Sequence, residues 1–298
     1  GGVNNGPGGG EDSAAAGGAG HGGAGSWGTQ NAGSAGYGGK TNDTATAPIR
    51  PGSGGGYSTA VGLTSSDGHG GGAVRIEAAA VLVNGRISAN GKTPTGDRGG
   101  GGSGGSIWIT CQTIAGTNGT ITANGVDGLG IAGSGGGGRI AIEYDAAAQD
   151  AIPLPTLAIE TRAGERADIG TLYFTDGRFV RTDVASLHGQ LTGLTEWRGE
   201  SLTVSNCWIR FREPGFRLTV TNDLVVKGSA GRLDIGGNTV VTGGLNFYVN
   251  SAMTSAPVVN VGGQLVVTNR AYFYVFAGVT NDTTTNYGAL VSVTGAVV

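Results

Sequence analysis

The chain has 298 residues, 63 of them glycine, and a formal net charge of −3 with 13 % charged residues. Glycine does not recur at every third position, which excludes a collagen triple helix, and the polar stretches alternate with Ile, Val and Leu pairs able to be buried, which argues against simple disorder. There is no basic stripe to neutralise phosphates and no apolar run near the roughly 18 residues that span a bilayer, so neither a nucleic-acid partner nor a membrane span is expected.

Residues 1–67 form a glycine-rich N-terminal segment, and the first residue is Gly1 rather than Met, which fits a processed or excised chain and secretion with removal of a signal. An internal repeat dominates 68–150. The string VRIEAAAVLVNGRISANG from Val74 is echoed by IWITCQTIAGTNGTITANG from Ile107, and RIAIEY restarts the pattern at Ile140. Val74, Ile107 and Ile140 stand 33 residues apart, as do Ile76, Ile109 and Ile142, while Ile87 and Ile121, and Asn90 and Asn124, stand 34 apart. Within each unit the apolar residues alternate, the period of a strand with one face inward. Parallel strands stacked at a constant period without helical connections predict an all-β parallel β-helix, a solenoid, with all eight of those Val and Ile residues lining its interior.

Between the strand runs lie DRGGGGSGGS at 97–106 and GSGGGG at 133–138. Gly99, Gly100, Gly101, Gly102, Gly104, Gly105 and Gly135, Gly136, Gly137 and Gly138 are expected to pack alongside the coils as extended three-fold helices of the polyglycine-II type, because only glycine lets backbones approach so closely. A flexible linker is the competing reading of such runs.

After residue 150 the glycine runs end, and 151–200 reads as charged transition coils. From 201 to 298 a second strand-rich array follows, in which LTVTNDLVV aligns on VNVGGQLVV at an offset of 41, taking Val220 to Val261 and Leu224 to Leu265. VSVTGAVV from Val291 aligns on VNVGGQLV from Val259, so the last residues fall inside a repeat with no cap in view. Val291, Val293, Val297 and Val298 are therefore expected to form an assembly end, met by another copy of the chain in a head-to-tail homopolymer or by flanking coils of the same polypeptide.

The best candidates for polysaccharide cleavage are Glu160, Glu165 and Asp168, interleaved with Arg162 and Arg166, since a lyase needs converging carboxylates with a base and a hydrolase a pair roughly 5–10 Å apart. A solvated ion-paired face explains this pattern better. Asp97, Arg98 and Asp127 fall in turns of consecutive coils and do not match a calcium loop, and His21, His69 and His188 lack metal spacing. Trp27, Tyr37, Trp108, Trp197 and Trp208 pack by default, with Trp108 the best sugar contact if it points outward. Cys111 and Cys207 are read as two small apolar strand residues, with one long-range disulfide as the alternative. Asn42-Asp-Thr44, Asn118-Gly-Thr120 and Asn281-Asp-Thr283 match the glycosylation sequon. No catalytic residue, metal or cofactor is expected.

The order GGGGSGGSIWI, GTITANG, GGGGRIAIEY, GTLYF resembles a recurring arrangement in very long, secreted glycine-rich β-helical proteins of environmental bacteria, including autotransporter-like and adhesin-like surface proteins. The resemblance covers about residues 68–175 and implies a cell-surface or extracellular role in attachment, matrix or fibre formation, with no common active site. The expectation is a non-enzymatic structural protein that self-assembles, with carbohydrate as a further candidate partner. The alternatives are a segment of a giant adhesin or autotransporter passenger and a β-helical polysaccharide lyase or hydrolase.

Overall fold

The computed structural model describes residues 6–29, 35–62, 65–236, 239–242, 245–248, 256–276, 278–279, 286–287 and 289–298. Among them the chain is nearly all β, with long parallel sheets, a single α-helix at Ala146–Asp150 capped by Asp145, and one 3-10 turn at Gly177–Phe179. It divides into two compact units, Gly1–Thr175 with Thr239–Phe247, and Asp176–Asn238 with Tyr248–Val298.

In the first unit Ala73–Leu82, Ser106–Ala115, Arg139–Tyr144 and Thr171–Phe174 pair in parallel. The 33-residue repeat is the register of this pairing. Val74 meets Ile107, which meets Ile140, which meets Leu172, while Ile76, Ile109, Ile142 and Phe174 form the neighbouring row. A second parallel stack carries Ile87, Ile121 and Ile159. Ile107, Ile109, Ile121, Ile140 and Ile142 are fully buried. Val74, Ile76 and Ile87 are only half-buried, because their strands have a parallel neighbour on one side alone among the described residues.

The glycine runs lie beside these strands and are held by main-chain hydrogen bonds that advance three residues at a time. Gly100 and Ser103 donate to Gly56 and Ser53, whereas Gly101 and Gly104 donate to Gly133 and Gly136. Gly105, on the third side, donates to Ala89. Gly133 and Gly136 pass the pattern on to Ala16 and Ala19, and Gly36, Gly39 and Asn42 donate to Ala15, Gly18 and His21. A step of three is the repeat of an extended left-handed helix with three residues per turn, whose successive N–H groups point to three different neighbours. The ten glycines named above are all outside the left-handed φ region, so chain conformation alone does not demand glycine there. Space does: a Cβ on Gly100 would collide with the carbonyl of Gly17, and one on Gly137 with the carbonyl of Thr161.

In the second unit most strands visit three sheets in rotation and pair in parallel with the strand one rotation later, whereas Gly278–Val279 pairs antiparallel with Asn286–Tyr287 in a sheet of its own. Leu191, Phe211, Ile235 and Val275 form one row, Val184, Val204, Val226 and Val267 another, and Trp197, Leu218, Val259 and Val291 a third. The offset of 41 is again a register, since Val220 pairs with Val261 and Leu224 with Leu265. Val259 pairs with Val291 and Leu265 bridges to Val297. Val291, Val297 and Val298 are exposed and Val293 half-buried.

Candidate functional site

Polar side chains converge at one place inside the glycine segments. His21, fully buried, sets Nδ1 2.9 Å from Asn42 Oδ1 and Nε2 2.8 Å from Ser106 Oγ. Asn42 Nδ2 donates to the Gly20 carbonyl, which turns Oδ1 toward the ring and places the imidazole proton on Nδ1. The Ser106 hydroxyl then faces two acceptors, His21 Nε2 and, at 2.6 Å, the Arg50 carbonyl. Arg139 clamps the cluster, donating to the carbonyls of Asn42 and His21 and to Thr171 Oγ1. Burial pulls the His21 pKa down to about 4, with Arg139 and Arg50 also opposing the charged ring and Asn42 and Asp43 favouring it.

The order serine, histidine, asparagine is that of a nucleophile, its base and an orienting group. Its chemistry here is different. Ser106 and His21 have no exposed surface, and the hydroxyl is committed to a main-chain carbonyl. The cluster ties the segments carrying residues 21, 42, 50, 106, 139 and 171 together where side chains are scarce.

The carboxylates named as cleavage candidates do not converge. Glu160 accepts from Arg162 Nε and Nη2 at 2.9 Å, Glu165 is exposed, and Asp168 is buried, accepting from the Ile169 amide. Arg166 is exposed with φ of 63°, Asp127 accepts from the Glu165 amide, and Asp97 is exposed. Among the described residues no three His, Cys, Asp or Glu side chains stand close enough to share a metal ion. Cys111 and Cys207 are both buried and are not joined in a disulfide. Asn281-Asp-Thr283 lies outside the described residues, as does the glycine-rich start at 1–5.

Trp108 points outward between Ile107 and Ile109, but its faces are not bare: Arg75 stacks on the ring at 4.5 Å and the indole N–H donates to Glu143 at 2.7 Å. The second unit holds a denser version of this ladder. Asp234, with no exposed surface, accepts from Trp208 Nε1, Arg210 Nε and Arg232 Nε at 2.9, 3.2 and 2.8 Å. Arg232 lies 4.0 Å from the Trp208 ring centre and 4.8 Å from that of Tyr274, and Tyr274 stacks on Tyr272. Sequence reading missed both Asp234 and Arg210. Their signal is the pairing of WIRF with RLDI, which puts the arginine opposite the aspartate.

The same unit has a pocket of about 450 Å3 between the Gly177–Phe179 turn and the strand Glu196–Gly199, lined by Arg178, Arg181 and Arg198 together with Trp197 and Glu196. A smaller one of about 300 Å3 in the first unit is lined by Glu11, Tyr37 and Lys40 among glycines. No protein-family model, curated protein or solved structure matches this chain.

Proposed function

We propose that the chain is an extracellular structural protein, its coils wound as a parallel β-helix with polyglycine-II-type segments packed alongside, serving as a subunit of a self-assembling fibre or stalk for attachment or matrix. The observation that carries this reading is the parallel pairing of strands one repeat apart in the long sheets of both units. Such a stack has no intrinsic stopping point. Ala73–Leu82 in the first unit and Leu290–Val293 in the second each have one parallel neighbour among the described residues, with apolar side chains exposed beside the open edge. A second copy that continued such pairing would make a contact that does not close, and so a filament.

Flanking coils of one long polypeptide would cover the same edges, which is the adhesin or autotransporter-passenger reading; the order of motifs over 68–175 favours it as the second choice. A lyase or hydrolase ranks third, because the carboxylates of 160–168 point to separate partners. Negative-stain electron microscopy of the 298-residue chain at rising concentration tests the first reading. Long fibres of uniform width are expected, shortened by Val293→Lys; short dispersed rods at every concentration favour flanking coils instead. Cleavage of an acidic polysaccharide by the purified chain would overturn both structural readings.

A further inference from the structure

Three of the nine residues lining the pocket in the second unit are arginines, in a chain that has only 18 Lys and Arg in 298 residues and is net negative. Glu196 is the one acid on the lining and Asp176 pairs with Arg178 beside it, so three guanidiniums stand against two carboxylates. Two of the arginines are positioned by neighbouring carboxylates: Asp176 holds Arg178 Nε at 2.9 Å on both oxygens, and Glu196 Oε2 takes Arg198 Nε and Nη2 at 3.2 and 3.1 Å. Arg198 and Glu196 are 64 % and 54 % exposed, and an ion pair so open to solvent is only weakly stabilising, so a better-placed anion can take Arg198 from it.

The floor suits a ring. Gly177 and Gly199 present no side chain, and Trp197 is buried beneath, its indole N–H fixed to the Val180 carbonyl at 2.9 Å and its six-membered ring in the space a Cβ on Gly199 would need. Thr182 adds a hydroxyl to the lining, and the volume falls within the roughly 300–1,000 Å3 of small-ligand sites. A guanidinium fork matches carboxylate or sulfate oxygens in pairs, which a lysine ammonium does not.

We propose that this pocket binds an anionic sugar ring, bearing carboxylate or sulfate, of an acidic polysaccharide. The inference does not rest on the fibre reading, since the site would serve a filament or a continuous adhesin equally. Isothermal titration of the full chain tests it with four probes: an oligogalacturonide, a sulfated oligosaccharide, a neutral oligosaccharide of the same length, and inorganic sulfate. Binding of one or both acidic oligosaccharides is expected, with the two arms separating carboxylate from sulfate. Arg181→Ala and Arg198→Ala should each raise Kd about tenfold, the order of a charged hydrogen-bonded contact, while Arg75→Ala in the first unit leaves it unchanged. Arg181 and Arg198 are both exposed, and an unchanged circular dichroism spectrum will show that the variants fold. The proposal is overturned by equal affinity for the neutral oligosaccharide, by inorganic sulfate binding as tightly as the oligomers, by no binding at all, or by arginine variants that bind like the parent.

Discussion

The segments that flank the strands of the first unit are almost bare of side chains, and Gly100, Gly101 and Gly104 meet their neighbours through carbonyls and amides. In the second unit the equivalent work falls to side chains: Phe211 stacks on Phe216 at 4.2 Å between ring centres, and Leu202, Leu218, Leu224 and Leu233 are fully buried. Beside its buried isoleucine rows the first unit has glycine segments cemented by backbone hydrogen bonds at close quarters, whereas the second unit relies on apolar area. The two should therefore fail differently. Adding one carbon is intolerable where backbones touch, whereas removing carbons is the damage that matters where side chains fill the core.

The largest effect expected is that of Gly100→Ala, whose methyl group would strike the Gly17 carbonyl. Neither backbone can yield without breaking its hydrogen bonds, so a loss of about 4 kcal/mol or more is predicted for the first unit in urea unfolding followed by hydrogen exchange. Gly72→Ala sharpens the test, because nothing lies within 4 Å of a Cβ there and its φ lies outside the left-handed region. That variant should be neutral or stabilise by up to about 1 kcal/mol.

Asp234→Asn comes next, in the second unit. It leaves Arg210, 1 % exposed, without its buried counter-charge, and a cost of about 3–5 kcal/mol is expected from the shift in the denaturation midpoint. Phe216→Ala should cost a similar or slightly smaller amount, about 3–4 kcal/mol, by opening a cavity against Phe211.

His21 gives a pH-dependent contrast between the units. Its pKa in the fold, about 4, lies below the ordinary 6.5, so between those values the unfolded chain takes up a proton that the folded chain does not. Stability from this group is complete above about pH 6.5 and falls as the pH drops toward 4, by roughly 3 kcal/mol in all. Urea titrations at pH 7 and 4.5 should show a larger acid loss for the parent than for His21→Gln, and equal losses would refute the assignment. The smallest effect is that of Val74→Ala, expected to cost less than about 1.5 kcal/mol because its strand is stacked on one side only.

Much of the strand architecture was legible in the sequence because stacking makes register a matter of spacing. The steps of 33, 34 and 41 between Val74 and Ile107, Ile87 and Ile121, and Val220 and Val261 are the observed pairings. Asn90 and Asn124, also 34 apart, touch through the Asn90 carboxamide and the Asn124 amide. The half-burial of Val74, Ile76 and Ile87 was not legible, since a periodic pattern does not reveal which copy stands at the open side. Nor was the His21 cluster. Its members come from segments running in both directions, joined by a three-residue hydrogen-bond step that leaves little trace where most positions are glycine or another small residue. Arg210 and Asp234 stayed hidden for a related reason, their pairing resting on a spacing of 24 that recurs nowhere else in that stack.

Amide hydrogen exchange of the folded chain, read residue by residue by NMR, tests most directly whether the glycine runs are interior rather than linker. The amides of Gly101, Gly104, Gly133 and Gly136 each donate to a carbonyl at 2.8–3.0 Å, and they are expected to be protected to the same degree as those of Ile107 and Ile109 in the neighbouring strand. Exchange of those glycines at the rate of an unstructured peptide, with the isoleucines still protected, would contradict the account.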